Sequence, residues 1–101
     1  MSVILTKQNQ DIIRKLSTKD YEGISQRQAT SIIKKVLDSN SDSSKKIAKD
    51  VYEFEKMKFP SKSSKQLEQY ISKKLDKSDK TMWREYISDY TSFETGGSEK
   101  D

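Results

Sequence analysis

The sequence predicts an all-α fold of about five short amphipathic helices, and three observations support this class. Apolar residues recur at three- and four-residue intervals through most of the chain, which is the spacing of one helix face. Residues that commonly cap helix N-termini precede several of these stretches. Gly and Pro together number only four among 101 residues, too few for the many tight turns of an all-β protein.

The predicted helices form one domain over residues 1–101. An N-terminal αα-hairpin over residues 3–38 is expected to pack on a three-helix unit over residues 43–93. Residues 38–44 contain no apolar side chain, so they are predicted to be the loop between the two units. The polar residues 94–101 are expected to be a disordered tail.

The hairpin consists of two helices with clear start signals. The first is predicted to cover residues 7–18 with Thr6 as its N-cap. The second follows Ser25, which forms a Ser-x-x-Gln capping box with Gln28, and runs to about Asp38. This second helix has the clearest apolar face of the chain, at positions i, i+3, i+4, i+7 and i+8: Ala29, Ile32, Ile33, Val36 and Leu37.

The three-helix unit begins with a helix predicted over residues 44–58, which stops before Pro60 because proline disfavours a helical conformation in the preceding residue. The fourth helix is predicted to start after Ser63 and to end near Asp76. Ser78 is the predicted cap of the fifth helix. The fifth helix has a wide apolar face: Met82, Trp83, Tyr86, Ile87, Tyr90 and Phe93.

The composition excludes several classes of protein. The chain contains no Cys and no His, which removes disulfides, thiolate nucleophiles, the commonest general base and the commonest metal ligand. The longest apolar run, Val3-Ile4-Leu5, is far too short for a signal peptide or a membrane span. We therefore expect a cytoplasmic protein that does not bind membranes.

A calcium loop is suggested by Asp38-x-Asn40-x-Asp42 but fails at two decisive positions. The sixth position, which needs Gly for a sharp turn, is Ser43, and the twelfth, which needs a bidentate Glu, is Lys49. The motif is therefore interpreted as a polar loop, and no metal site is predicted.

No enzymatic activity is predicted either. Carboxylate pairs occur at Asp76/Asp79 and Glu85/Asp89, but general acid–base catalysis needs a carboxyl held in a pocket. Glu85 and Asp89 lie opposite the aromatic face of the fifth helix and are interpreted as solvated. There is also no Gly-rich phosphate loop. Accordingly, no catalytic residue and no cofactor are predicted.

Basic residues indicate a binding surface on the hairpin. The net charge is +4, which permits contact with nucleic acid without requiring it. The alternative is that these residues are ordinary solvated lysines and arginines of helix surfaces. The predicted nucleic-acid-binding residues are Arg14, Lys15, Gln26, Arg27, Lys34 and Lys35.

A helix-turn-helix is a sharper alternative for the same hairpin. Gln26, Arg27, Gln28 and Thr30 would then lie on a recognition helix. The connection between the two predicted helices is longer than the three- to four-residue turn of that motif.

The aromatic face of the fifth helix has two interpretations. Regular spacing favours a role in the core. Alternatively, Trp83, Tyr86, Tyr90 and Phe93 bind a protein partner. Tyr90 and Phe93, at the end of the helix, are the residues expected to be exposed.

A further pattern in residues 3–39 is carried by Leu5-Thr6-Lys7-Gln8, Ile12, Leu16, Ile24-Ser25, Gln28-Ala29-Thr30 and Ile32-Ile33. These residues resemble the pattern T-K-Q…I-x-x-L…L-S…A-S-x-L-I, in which Thr30 occupies a position that usually holds Ser. The pattern is that of a short helical-hairpin module of small uncharacterised phage and bacterial proteins, which also occurs appended to some DNA-processing enzymes. The resemblance implies a phage or bacterial setting and a link with DNA metabolism, but no activity and no binding residues.

Together these observations favour a non-enzymatic accessory protein of a phage, mobile element or bacterium. It would bind nucleic acid, or a nucleic-acid-processing complex, through the basic hairpin. The main alternative is a small inhibitor or adaptor, such as an anti-defence protein, that binds a host protein through the aromatic helix. A third alternative is a homodimer that covers an apolar face left by a thin core.

Overall fold

A computed structural model of the chain describes residues 6–39 and 42–90, most of which lie in five α-helices. The helices are α1 (Lys7–Thr18), α2 (Gln26–Ser39), α3 (Ser44–Lys58), α4 (Ser64–Ser72) and α5 (Lys77–Tyr86). No β-strand occurs within the described ranges, and the predicted all-α class is confirmed. Three sequence features lie outside the described residues: Val3-Ile4-Leu5, Phe93 and the predicted tail 94–101.

The predicted helix caps explain why α1, α2 and α4 begin where they do. The Thr6 hydroxyl accepts a backbone N–H of the first turn of α1 at 3.1 Å. The Ser25 hydroxyl accepts the Gln28 N–H at 3.1 Å, and the Gln28 side-chain oxygen accepts the Ser25 N–H at 2.8 Å. Ser63 and Gln66 form the same reciprocal pair at 3.2 and 2.9 Å. These capping boxes satisfy N–H groups that a helix leaves unpaired.

The predicted boundary between the fourth and fifth helices is wrong. α4 ends at Ser72 and not near Asp76, because the chain then tightens into a turn in which the Leu75 N–H donates to the Ser72 carbonyl at 3.0 Å. α5 begins at Lys77 with Asp76 as its N-cap, so Ser78 lies inside the helix and does not cap it. The turn buries Leu75, which fixes where the next helix starts.

α5 is also shorter than its apolar pattern predicts. It ends at Tyr86, and Ile87 has a non-helical backbone with its side chain fully buried. A short helical segment at residues 88–90 follows. The side chains after Ile87 therefore do not continue the face of α5.

The connection between α1 and α2 contains two residues with positive φ. Gly23 has φ +80°, a backbone conformation that glycine adopts without steric cost. Lys19, at the C-terminal end of α1, has φ +63°, and its N–H donates to the Leu16 carbonyl at 3.2 Å. A left-handed residue at this position commonly ends a helix, although Lys is an unusual choice.

α2 lies at the centre of the molecule and packs against α1, α3 and α5. All five residues of its predicted apolar face are buried, with 3% exposure or less. Because α2 belongs to the hairpin and α3 and α5 to the three-helix unit, the two predicted units share one hydrophobic core. The buried apolar residues from the other elements are Ile12, Leu16, Ile24, Ile47, Ala48, Val51, Tyr52, Phe54, Leu67, Ile71, Leu75, Trp83 and Ile87.

None of the helices in the described ranges has both the length and the apolar character needed to cross a lipid bilayer. The longest of them, α3, has 15 residues.

Candidate functional site

A groove of about 560 Å³ runs between α2 and α4 and gathers several basic side chains. We call it the basic groove. One wall comes from α2 and the other from the C-terminal end of α4 and the turn that follows it. The residues that line it are Gln26, Arg27, Thr30, Ser31, Lys34, Tyr70 and Lys74.

The α2 wall is built by helical periodicity. Arg27, Ser31 and Lys34 are four and three residues apart, so they lie on one face of the helix. This face is opposite to the apolar face that α2 buries, and all three side chains are exposed. Arg27 and Lys34 are separated by about 10 Å along the helix axis, roughly the axial length of three nucleotides of one B-form strand.

The opposite wall of the groove combines the aromatic ring of Tyr70 with the positive charge of Lys74. The Lys74 ammonium lies 3.8 Å from the centre of the Tyr70 ring, a cation–π contact that holds the lysine over the ring. The Tyr70 ring also contacts Phe59, with ring centres 5.7 Å apart. Tyr70 is therefore half-buried between a core contact and the groove.

The cations of the basic groove are not held in ion pairs by other described residues of the protein. Its lining contains three cations, Arg27, Lys34 and Lys74, and no carboxylate. Within the described ranges, none of the three forms an ion pair, whereas six ion pairs occupy cations elsewhere on the surface. Three cations that converge without a carboxylate produce a positive potential to which an anion is attracted.

A buried carboxyl group lies behind the groove. Glu55 of α3 is fully buried and accepts a hydrogen bond from the Gln26 amide. Burial raises the pKa of Glu55 to about 7, and the Gln26 hydrogen bond and the charges of Lys74 and Lys58 only partly oppose that increase. The second Glu55 oxygen, Oε2, has no hydrogen-bond partner among the described residues.

The structure brings together some of the predicted nucleic-acid-binding residues. Gln26, Arg27 and Lys34 line the basic groove, but the Gln26 amide is occupied by Glu55 and positions that side chain instead of facing a ligand. The predicted set did not include Tyr70 or Lys74, which also line the groove. The Lys73-Lys74 doublet was the available signal.

The other predicted basic residues lie elsewhere. Arg14 forms an ion pair with Asp11 of its own helix, and the Lys15 ammonium lies 3.5 Å from the Glu22 carbonyl oxygen. Lys35 is exposed but does not line the basic groove. The predicted set therefore does not form one continuous surface site.

The helix-turn-helix alternative is not supported by the geometry. Seven residues, 19–25, separate α1 from α2, more than the turn of that motif contains. The Gln28 side chain, one of the four proposed recognition residues, is used in the capping box of α2.

The predicted aromatic partner surface is largely part of the core. Trp83 is completely buried, and its indole N–H donates to the Glu68 carbonyl at 3.1 Å, so the prediction that it contacts a partner is corrected. Tyr86 is half-buried and packs against the core. Tyr90 is also half-buried, while Phe93 lies outside the described residues.

Tyr90 nevertheless borders a second cavity of about 710 Å³, which is mainly apolar and which we call the tyrosine cavity. Met57 at its edge is 68% exposed and is the one large hydrophobic side chain so exposed in the described part of the chain. The residues that line this cavity are Lys19, Tyr21, Tyr52, Glu53, Lys56, Met57, Ser64, Asp89 and Tyr90.

The two carboxylate pairs noted in the sequence differ in burial. Glu85 and Asp89 are exposed, as expected, and Asp89 forms an ion pair with Lys49 at 2.8 Å. Asp79, in contrast, is buried next to Asp76 and Asp38. In the sequence, Asp38 belongs to the loop motif and Asp76 to a carboxylate pair about 40 residues later, and the fold brings these two residues together.

Comparison with known proteins finds no matching protein family, no matching curated protein and no matching solved structure. The resemblance of residues 3–39 to a phage and bacterial hairpin module stays a prediction.

Proposed function

We propose that this protein is a non-enzymatic accessory protein that binds the phosphate backbone of nucleic acid in the basic groove. The observation that supports the proposal is the convergence of Arg27, Lys34 and Lys74, none of which is paired with a carboxylate within the described ranges. Phosphate contacts of this kind position a protein on nucleic acid without reading its sequence.

The groove also offers groups that complement the cations. The Ser31 hydroxyl is exposed on the same helix face and can donate to a phosphate oxygen. The half-buried Tyr70 ring offers an edge against which a sugar or an unpaired base can pack. The resemblance of residues 3–39 adds a phage or bacterial setting to the proposal.

A direct test measures the affinity for labelled single- and double-stranded DNA and RNA by fluorescence anisotropy while salt is varied. Three phosphate contacts predict a slope of log affinity against log salt of about −2.7 for duplex DNA and about −2 for single strands. Duplex affinity should then fall about 40-fold between 50 and 200 mM salt. No binding to any of these nucleic acids at about 50 mM salt would refute the proposal.

Matched variants of α2 localise the binding. Arg27→Gln and Lys34→Gln each remove one charge from the groove, whereas Lys35→Gln removes the same charge from the same helix outside the groove. The first two variants should weaken binding and the third should not. An equal loss for all three would point to general surface charge instead of the groove.

The tyrosine cavity supports a second candidate function, a protein-binding inhibitor or adaptor. An exposed methionine beside a mainly apolar cavity is suited to an apolar side chain from a partner. The expected interaction tolerates high salt and is lost in Met57→Glu, an exposed position where the variant should fold. A partner captured equally well by wild type and Met57→Glu would exclude this cavity as its binding site.

A further inference from the structure

Three carboxylates converge where the C-terminal end of α2 meets the start of α5. Asp38 belongs to α2, Asp76 is the N-cap of α5, and Asp79 lies in the first turn of α5. One oxygen from each of them lies within 4.8 Å of the others. We call these residues the aspartate cluster.

Asp79 is the unusual member, because its surroundings do not favour a carboxylate. It is only 3% exposed, and its Oδ2 has no hydrogen-bond partner among the described residues. Its carboxyl group lies within hydrogen-bonding distance of the Asp38 carboxyl group, a contact that needs a shared proton or a cation between the two. Three carboxylates this close together repel one another, and a bound cation would relieve that repulsion.

Helix capping does not account for the cluster. The Asp76 side chain makes no capping hydrogen bond, unlike Ser25 and Ser63 at the starts of α2 and α4. Asp79 is three residues after the cap, as the second residue of a capping box would be, yet Oδ2 accepts no hydrogen bond from a described residue.

We propose that the aspartate cluster binds a calcium ion. Ca²⁺ takes six to eight oxygen ligands at about 2.4 Å, so two oxygens bound to one ion lie at most about 4.8 Å apart. The separations within the cluster meet this limit. Three carboxylates supply the charge, and water or backbone oxygens can complete the shell of an ion that accepts irregular geometry.

The identity of the ligands sets the preference among metals. Mg²⁺ requires a nearly octahedral arrangement at about 2.1 Å, and Zn²⁺ prefers the nitrogen and sulfur ligands that this sequence lacks. The site is not the EF-hand-like loop of the sequence, although both include Asp38. Its other two ligands come from α5, about 40 residues further along the chain, and Asp42 is not one of them.

The binding test uses metal-free full-length protein titrated with CaCl₂ by calorimetry, with thermal unfolding in parallel. A site of three carboxylates, two of them exposed, is expected to have a dissociation constant on the order of 10⁻⁴ M. Binding to the folded state alone should then raise Tm by at least about 10 °C at 10 mM Ca²⁺. MgCl₂ should have a smaller effect at the same concentration.

Terbium provides a second readout with a built-in reporter. Trp83 is four residues after Asp79 on α5, about 6 Å further along the axis. Tb³⁺ bound to the aspartate cluster should therefore luminesce when the tryptophan is excited, and Ca²⁺ should displace it.

Substitutions test whether Ca²⁺ binds at the aspartate cluster. Asp76→Asn changes an exposed ligand and should weaken Ca²⁺ binding at least about tenfold, while Asp79→Asn should abolish it. The matched control is Asp42→Asn, which removes an exposed carboxylate from the neighbouring loop and should bind Ca²⁺ as the wild type does. Far-UV circular dichroism of Asp79→Asn in calcium-free buffer checks that the variant keeps the helical fold.

Three outcomes would overturn the proposal. The first is the absence of both a binding heat and a Tm change with millimolar Ca²⁺. The second is unchanged affinity in Asp76→Asn and Asp79→Asn, which would place the ion elsewhere. The third is stronger binding of Mg²⁺ than of Ca²⁺, which would remove the assignment to calcium.

Discussion

Tyr52 and Tyr90 stack face to face, with their ring centres 4.6 Å apart and their planes 8° from parallel. Tyr52 lies on α3, and Tyr90 follows α5, so the stack fastens the end of the described chain to the middle of the core. The Tyr90 hydroxyl donates to a Glu53 oxygen at 2.9 Å. Both contacts form the wall of the tyrosine cavity.

The stack predicts a graded effect of substitutions at Tyr90. Tyr90→Phe keeps the ring but loses the hydrogen bond to Glu53, so it should lower the free energy of unfolding by about 1 kcal/mol. Tyr90→Ala also loses the ring contact and should cost about 2 kcal/mol. Urea unfolding measures both as shifts of the midpoint at constant slope. Wild-type stability in Tyr90→Ala would show that the stack does not contribute to folding.

Glu55 predicts a stability that decreases with rising pH. Its pKa is about 7 in the folded state against an ordinary value of 4.5, so between these values the folded state binds more protons than the unfolded state. The free energy of unfolding therefore falls as pH rises through this window. Glu55→Gln carries no titrating group, so its advantage over the wild type should grow by an amount on the order of 2 kcal/mol between pH 4.5 and 7.5.

The measurement compares the variant with the wild type at each pH by chemical unfolding in metal-free buffer. Asp79 has a raised pKa in the same direction, but it is present in both proteins and its contribution cancels. Glu85→Gln, a change at an exposed glutamate, is the matched control and should show no such trend. A constant difference between Glu55→Gln and the wild type would mean that Glu55 titrates normally.

Single substitutions in the basic groove predict a change in the salt dependence of nucleic-acid binding. Arg27→Gln should reduce the steepness of log affinity against log salt by about one, because it removes one phosphate contact. Its effect should be similar for unrelated sequences, since phosphate contacts carry no base information. A loss of affinity restricted to one sequence would instead indicate that Arg27 reads a base.

Gly23 predicts a backbone effect that is independent of packing. Its φ is +80°, and an added Cβ would meet only the flexible end of Lys15 at 4.0 Å. Gly23→Ala should therefore cost about 1 kcal/mol through its backbone conformation alone, and Gly23→Asn should cost less because Asn tolerates the left-handed region. Thermal unfolding of the two variants compares them, and equal Tm values would contradict this explanation.

The fold was predictable wherever local signals decide the structure. The bounds of α1 and α3 agree with the predictions, because Thr6 and Pro60 act on their own neighbours in the chain. The start of α5 was not predictable, since Asp76 and Ser78 are both good capping residues. The burial of Leu75, a tertiary contact, decides between them.

For the candidate sites, the sequence predicts only which residues share a face of one helix. Arg27 and Lys34 share a face of α2, which the sequence shows directly. Tyr70 has the spacing of a core residue on α4, and only the packing of the helices exposes its edge to α2. The approach of Asp38 to Asp76 likewise depends on the contact between α2 and α5, two elements far apart in the sequence.

The central position of α2 has a consequence for cutting the chain. Cleavage in the connection between α2 and α3 would leave one fragment with the apolar face of α2 uncovered and another in which α3 and α5 lack the helix that packs against both. Neither fragment should fold by itself, because neither contains a complete core. When the two fragments are mixed, they should associate and fold together without a covalent link. The folding of each fragment would then show that the other is present.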